Sequence, residues 1–327
     1  MKPILPGAPW LIAHRSMLGV NKPYKVTLNG QDYVLWQNEA GQVSALDNVC
    51  PHLQAPLSNG WVCQKRNTIT CPFHALEFDR KGHLFQDGNK SNEPLAKTLD
   101  LSVIGNLIWT YGGFEPKLPI PKLHEQVAKE YDFIGITAEK SIKSDFLSSL
   151  LINYDHNHQN GTHREMFKVK SCRAEFVEKD GSYALVAQKA ELADYTPEEI
   201  AANPSLGTFP KVMNNFLEYT FPSSQFFRLN TPDIKTYQGH ILYPETEDST
   251  KTFILMYAKF SKPELKEMLQ ESMLQMAAVV VDQDTSCLES LYPKAKPRIR
   301  LKSEDIMYYA QELYQNWENL AVAKLTN

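Results

Sequence analysis

Two short clusters constrain this chain more than anything else in it: Cys50-Pro51-His52 and Cys71-Pro72-Phe73-His74. Each pairs one cysteine with one histidine, and eighteen residues separate His52 from Cys71. Two thiolates and two imidazoles are the donor set of a Cys2His2 zinc site. They are equally that of a 2Fe–2S centre in which cysteines hold one iron and histidines the other. Zinc modules usually group Cys with Cys and His with His on separate elements. Here each loop carries one of each, so that each loop reaches both irons. Pro51 and Pro72 directly after the cysteines favour tight, extended ligand loops over helices. The mixed-ligand cluster is the stronger reading, and zinc is the alternative.

A length of 327 residues accommodates two domains, each with a sizeable core. The formal charge of −4 and the absence of any long Lys/Arg run give no reason to expect nucleic acid or an anionic surface as partner. Residues 1–15 contain Pro3, Pro6 and Pro9 and lack the apolar centre of a signal peptide. No run of about twenty apolar residues occurs, so no transmembrane segment is expected. Beyond the two ligand cysteines, Cys63, Cys172 and Cys287 are scattered and odd in number, which argues for free thiols and a cytoplasmic location.

Between residues 24 and 110, short strand-like runs alternate with turn signals. Asn29-Gly30 between two such runs predicts a hairpin. Residues 115–122, with Pro116, Pro119 and Pro121, read as a linker. Residues 144–154 are helix-compatible, and residues 169–260 again look like strands. Pro263 opens a long helical pattern over 264–291. Ser303-Glu304-Asp305 predicts a capped final helix carrying Ile306, Leu313 and Trp317. A sheet gripped by a long helix makes an α+β second domain plausible. The expected division is residues 1–118 and 119–327.

A second ligand pattern lies in the second half: Asp155-x-x-His158-x-x-x-x-His163. Two neutral imidazoles and a carboxylate are the facial triad that suits non-haem Fe(II) with open positions. His158 and His163 would lie about 140° apart on a straight helix. Gly161 between them lets the helix distort and turn both rings toward one metal. His156 is an additional, weaker candidate because of its phase.

Together the two patterns resemble the Rieske non-haem iron oxygenases, specifically their catalytic α subunits, over essentially the whole chain. The resemblance implies an N-terminal antiparallel β Rieske domain, whose 2Fe–2S cluster is held by Cys50, His52, Cys71 and His74. A helix-grip (START-like) catalytic domain with mononuclear Fe(II) follows. It makes His158 and His163 iron ligands and calls for a third, an aspartate on a long downstream helix. Gln283-Asp284, followed five residues on by Glu289, fits, with Asp282 as the competitor. It further implies that Asp155 bridges a mononuclear-iron histidine to a Rieske histidine of a neighbouring subunit. A link of that kind is intermolecular and head-to-tail, and so predicts a homotrimer. Three residues before His158, Asp155 is expected on the same helix face.

Departures accompany the resemblance. Leu53-Gln54 stands where many members have Arg-Gly, and Phe73-His74-Ala75-Leu76 where many have Tyr-His-Gly-Trp. An Asn often found three residues before the bridging aspartate is Ile152 here, with Asn153 one place later. These leave the ligands intact and set the chain apart from ring-cis-dihydroxylating dioxygenases. The expected function is a terminal oxygenase, a monooxygenase more than a dioxygenase, that hydroxylates, demethylates or otherwise oxidises an apolar small molecule with O2. No Gly-x-Gly-x-x-Gly fingerprint is visible, so electrons are expected from an external ferredoxin or reductase. Lys65, Arg66, Arg80 and Lys81 form a candidate docking patch for it. The rival readings are a Rieske electron carrier and an iron-free small-molecule or pigment-binding protein.

Overall fold

The computed structural model describes residues 2–292 and 297–319. They form two compact units, one of residues 2–120 with 243–247, the other comprising the remaining described residues from 121 onward.

The first unit is built from three small antiparallel sheets. One joins Trp10–His14, Leu107–Thr110 and Ser102–Ile104, and a second joins Tyr24–Leu28, Gln31–Gln37 and Val43–Asp47. Asn29 and Gly30 turn the hairpin at φ 52° and 77°. That is the paired left-handed conformation a two-residue loop favours. The third sheet runs Trp61–Cys63, Thr68–Thr70, Glu77–Phe78, His83–Gln86 and Asn89–Pro94. Val34, Trp36, Leu46, Leu57, Val62, Ile69 and Phe78 form its core, and Cys50 and Cys71 are buried among them.

The two Cys/His loops are built alike. Cys50 N–H donates to Ala55 O and Gln54 N–H to Cys50 O; Cys71 N–H donates to Leu76 O and Ala75 N–H to Cys71 O. In each loop the fourth residue after the cysteine has a left-handed backbone, Gln54 at φ 61° and Ala75 at φ 54°. Glycine would adopt that conformation without strain; a side chain there costs about 1–2 kcal/mol. The sequence departures at these two positions therefore coincide with the turning points of both loops.

The second unit is an antiparallel sheet whose strands run, in spatial order, Asp132–Ile136, Thr250–Phe260, Ile234–Pro244, Ser224–Asn230, Val212–Thr220, Tyr183–Leu192 and Val169–Asp180. Lys140–Ile142 pairs with Thr250–Phe260 as well. The helix Pro263–Ser290 packs on this sheet through Leu269, Met273, Ala277 and Val281, against Ile134, Ile254, Met256 and Ala258. Those helix positions recur every four residues, a spacing that keeps one apolar stripe on the sheet. Gly135 allows the close approach: a Cβ there would come within 2.7 Å of Leu274 Cδ1. This is the α+β arrangement expected from the strand runs and the long helix.

Several local expectations are corrected. The helix of residues 144–154 is found as Phe146–Tyr154, and it stops there. Asp155 has an extended backbone and its Oδ1 accepts the Asn157 N–H, so Asp155 and His158 do not share a helix face. Ser303 does not cap the helix Asp305–Gln315; its hydroxyl donates to Ala174 O, and Trp317 lies beyond the helix in a short 3-10 turn. A helix that the linker reading missed, Lys122–Glu130, begins directly after Pro121.

Gly60 makes a sharp test of this packing. A Cβ on it would sit 1.8 Å from the carbonyl oxygen of Thr70, the residue before Cys71. Gly60→Ala should displace that backbone, destabilise the unit by roughly 1–3 kcal/mol, and lower the visible absorbance per chain. A variant with unchanged melting temperature and absorbance would contradict the packing described.

Candidate metal centre and substrate cavity

The turn after Tyr154 carries the second ligand pattern. Asn157–Asn160 is a 3-10 turn, Gly161 breaks it, and His163 immediately precedes the short helix Arg164–Phe167. The Asn160 carboxamide clamps this turn to the sheet: Oδ1 accepts the Cys172 N–H at 2.8 Å and Nδ2 donates to Cys172 O at 3.3 Å. A straight helix would separate the two histidines; the break between them brings their rings to 5.0 Å, edge to face.

Asp284 reaches the same place from the long helix. Its Oδ1 lies 3.0 Å from His163 Nε2 and 3.7 Å from His158 Nε2. One ligand atom from each of the three residues falls within 4.8 Å of the others. His163 Nε2 and Asp284 Oδ1 are buried, and neither has a hydrogen-bond partner among the described residues despite their 3.0 Å separation. Buried polar atoms are rarely left so, and two at this spacing beside a third donor suit a shared cation. Asp282 faces the other way, with a side chain 60% exposed and ion-paired with Lys140. Two residues along a helix is about 200° of rotation, so only one of the two aspartates can face the histidines.

Neighbouring groups set the ring orientations. His163 Nδ1 is 2.7 Å from Gln283 Oε1. The ring donates there and leaves Nε2 for a metal. His158 Nδ1 contacts the backbone carbonyl of Asp155, with the same result. Burial pulls the His163 imidazole down, but the Asp284 carboxylate outweighs it and the net shift is upward. At His158 burial prevails over Asp284, and the shift is downward. Gln159 Nε2 lies 3.2 Å from His158 Nε2.

His156 is not part of this group. Gln188 Nε2 donates to its Nδ1 at 2.9 Å, and its Nε2 is 3.0 Å from the Tyr219 hydroxyl, which donates to Asn153 O. Both ring nitrogens are committed, and burial holds the ring neutral with a pKa of about 3. Its role is to brace the ligand turn from behind.

In the first unit the donors segregate by depth. Cys50 and Cys71 are 1% and 0% exposed, and their thiols are within hydrogen-bonding reach of each other. Burial raises the Cys50 thiol pKa. The thiolate form therefore needs a metal to stabilise it. His52 and His74 are exposed, with Nδ1 atoms 3.2 Å apart. A buried thiol pair and a paired set of exposed imidazole nitrogens fit a cluster with one iron on each. Of the candidate docking cations, Arg66 is held by Glu77, with Nε 2.8 Å from Oε2.

A cavity adjoins the second site and is lined there by Gln159 and His163. Phe167, Phe209, Phe227, Met213 and Met276 supply apolar walls. Of the aromatics prominent in the sequence, Phe227 lines the cavity, whereas Phe226 is buried against His124 and Tyr237. Sequence reasoning missed His240, Gln225 and Gln238, which also line it. Burial lowers the His240 pKa to about 4, with Asp284, His163 and His158 near enough to contribute. Nothing marks these residues locally except polar positions on the inward phase of strands.

Gln283→Leu should cost roughly 10–100-fold in mononuclear iron affinity while leaving the cluster absorbance intact. Asp282→Ala should change neither. Iron retained per chain against graded chelator checks both.

The sequence matches the Rieske [2Fe-2S] domain family over residues 9–99 and the vanillate O-demethylase oxygenase C-terminal domain family over residues 153–310. Aminopyrrolnitrin oxygenase of Pseudomonas fluorescens is 27% identical over 48% of this chain and 46% of its own length. For 4beta-methylsterol monooxygenase of Methylococcus capsulatus the figures are 28%, 41% and 38%. For the oxygenase component of dicamba O-demethylase of Stenotrophomonas maltophilia they are 31%, 34% and 33%. The matched part thus spans less than half of each of these relatives. Among solved structures, dicamba monooxygenase bound to dicamba superposes with a TM-score of 0.75 at 22% identity, covering 97% of this chain and 98% of that one. That likeness shows the fold: a β Rieske domain followed by a mixed catalytic domain. By these two domains the chain belongs to the Rieske oxygenases, and His158, His163 and Asp284 are the residues that could hold a mononuclear iron.

Proposed function

We propose that this chain is the terminal oxygenase of a multicomponent system, a monooxygenase rather than a cis-dihydroxylating dioxygenase. It would hydroxylate, demethylate or otherwise oxidise an apolar small molecule with O2 and electrons from an external ferredoxin or reductase. The observation that carries this reading is the meeting of His158, His163 and Asp284 beside an apolar cavity, in a chain that also carries the Cys50/His52 and Cys71/His74 loops. Relatives named as a 4beta-methylsterol monooxygenase and a dicamba O-demethylase support single-site oxidation. The three cysteines outside the cluster loops, Cys63, Cys172 and Cys287, form no disulfide, which suits a reducing, cytoplasmic setting; no described helix is long and apolar enough to cross a membrane.

When bound, the cluster supplies single electrons and the mononuclear iron activates dioxygen. The protein's part is to hold and orient. Gln283 and the Asp155 carbonyl fix the two imidazoles, Asp284 supplies the anionic donor, and the aromatic and methionine walls exclude water. Asp155 is the proposed electron-transfer link to a Rieske histidine of a neighbouring copy. Its Oδ1 accepts the Asn157 N–H, and Oδ2 has no partner among the described residues. Leu53 and Phe73, beside His52 and His74, are 57% and 62% exposed. They offer apolar surface for such a contact. A head-to-tail homotrimer is the assembly this link implies.

Metal analysis tests the reading: about three irons per chain are expected from one cluster and one mononuclear site. Two would favour an electron carrier or an iron-free binding protein. Asp155→Asn should retain all the iron yet lose coupled turnover by several orders of magnitude. Normal single-turnover electron transfer in that variant would refute the bridge.

A further inference from the structure

The cavity of the catalytic unit holds a polar group that the metal site does not use. Gln225 lies directly opposite His240 on the neighbouring strand, and Phe227 opposite Gln238. With a side-chain period of two, these four residues project from the same face of the sheet, and all four line the cavity. The cavity's other glutamines are engaged, Gln188 with His156 at 2.9 Å and Gln159 with His158 at 3.2 Å. By contrast, the side chains of Gln225, Gln238 and His240 have no hydrogen-bond partner among the described residues. Gln225 is only 8% exposed. Gln238 and His240 are partly exposed, so all three side chains are left to bond with water or with what enters the cavity.

We propose that Gln225, Gln238 and His240 form a hydrogen-bonding edge that selects and orients an uncharged, carbonyl- or amide-bearing substrate at the iron site. The inference rests on the oxygenase reading and deepens it by naming the substrate class. A carboxamide offers both donor and acceptor, and a neutral imidazole offers one of each. The edge therefore complements a ketone, lactam or amide whose C=O accepts and whose N–H or O–H donates. No Lys, Arg, Asp or Glu is among the described residues lining the cavity. A carboxylate entering it would lose its hydration without a side-chain counter-charge. Burial disfavours a charge on the His240 ring. The apolar body of the substrate packs on Phe167, Phe209, Met213 and Met276, and its polar edge fixes which carbon faces the iron.

The test is direct binding to the oxidised holoenzyme, by calorimetry, of a panel of ketones, lactams and primary amides on aromatic and steroid skeletons, each with its matched carboxylate. Neutral members should bind, and their carboxylates at least tenfold more weakly. Gln238→Leu and His240→Phe should each weaken the neutral ligands about tenfold by removing one hydrogen bond, with iron content and cluster absorbance unchanged. His240→Gln, which keeps a neutral donor and acceptor, should restore most of the loss. Tighter carboxylate binding, no binding by any neutral member, or leucine and phenylalanine variants that bind like wild type would each overturn the proposal. Failure of the oxygenase reading would show separately, as two irons per chain with binding intact.

Discussion

His163 faces consecutive residues of one helix with its two ring nitrogens. Gln283 Oε1 lies 2.7 Å from Nδ1, and Asp284 Oδ1 lies 3.0 Å from Nε2. That pair of contacts sets the distance between the ligand turn and the helix Pro263–Ser290. The helix in turn is fixed to the sheet by its apolar stripe and by the close approach that Gly135 allows. The space left between sheet and helix is the cavity. Its location beside the ligands is thus a product of the same packing that orients the metal donors.

Support behind the site is equally specific. Asn160 holds the ligand turn to Cys172 through both ends of its carboxamide, and the Gln188–His156–Tyr219–Asn153 chain closes the space beneath it. Both ring nitrogens of His156 and the Tyr219 hydroxyl have partners in that chain, so the turn is held by directional bonds and by packing together. The cluster loops use another device, a repeated backbone pattern with Gln54 and Ala75 at left-handed turning points. Those residues show that the loop geometry is enforced by its surroundings even where the local residue disfavours it.

Much of the site was legible in the sequence because its residues are close together or chemically rare. The Cys/His loops and the Asp155-x-x-His158-x-x-x-x-His163 pattern stand out by donor type and spacing, and the resemblance pointed from them to Asp284. What separated Asp284 from Asp282 is helical phase against a sheet, which needs the packing. The inference that Asp155 and His158 shared a helix face failed because the chain leaves the helix at Tyr154. Ser303 looked like a cap, but an acceptor from a distant strand, Ala174 O, claimed its hydroxyl. Gln225, Gln238 and His240 were invisible for a plainer reason. A polar residue on a strand has no signature until the register decides which face it shares.

The two ligand sets differ in the length of chain they tie together. His52 and His74 are 22 residues apart, whereas His163 and Asp284 are 121 apart. Loop-closure entropy makes the longer span costlier by about 1.5 kcal/mol, and its closure also waits for the whole intervening sheet. During synthesis the N-terminal ligands emerge and close first. The consequence is an order of assembly: the iron–sulfur site is ready to be filled while the mononuclear site is still several separate pieces of chain.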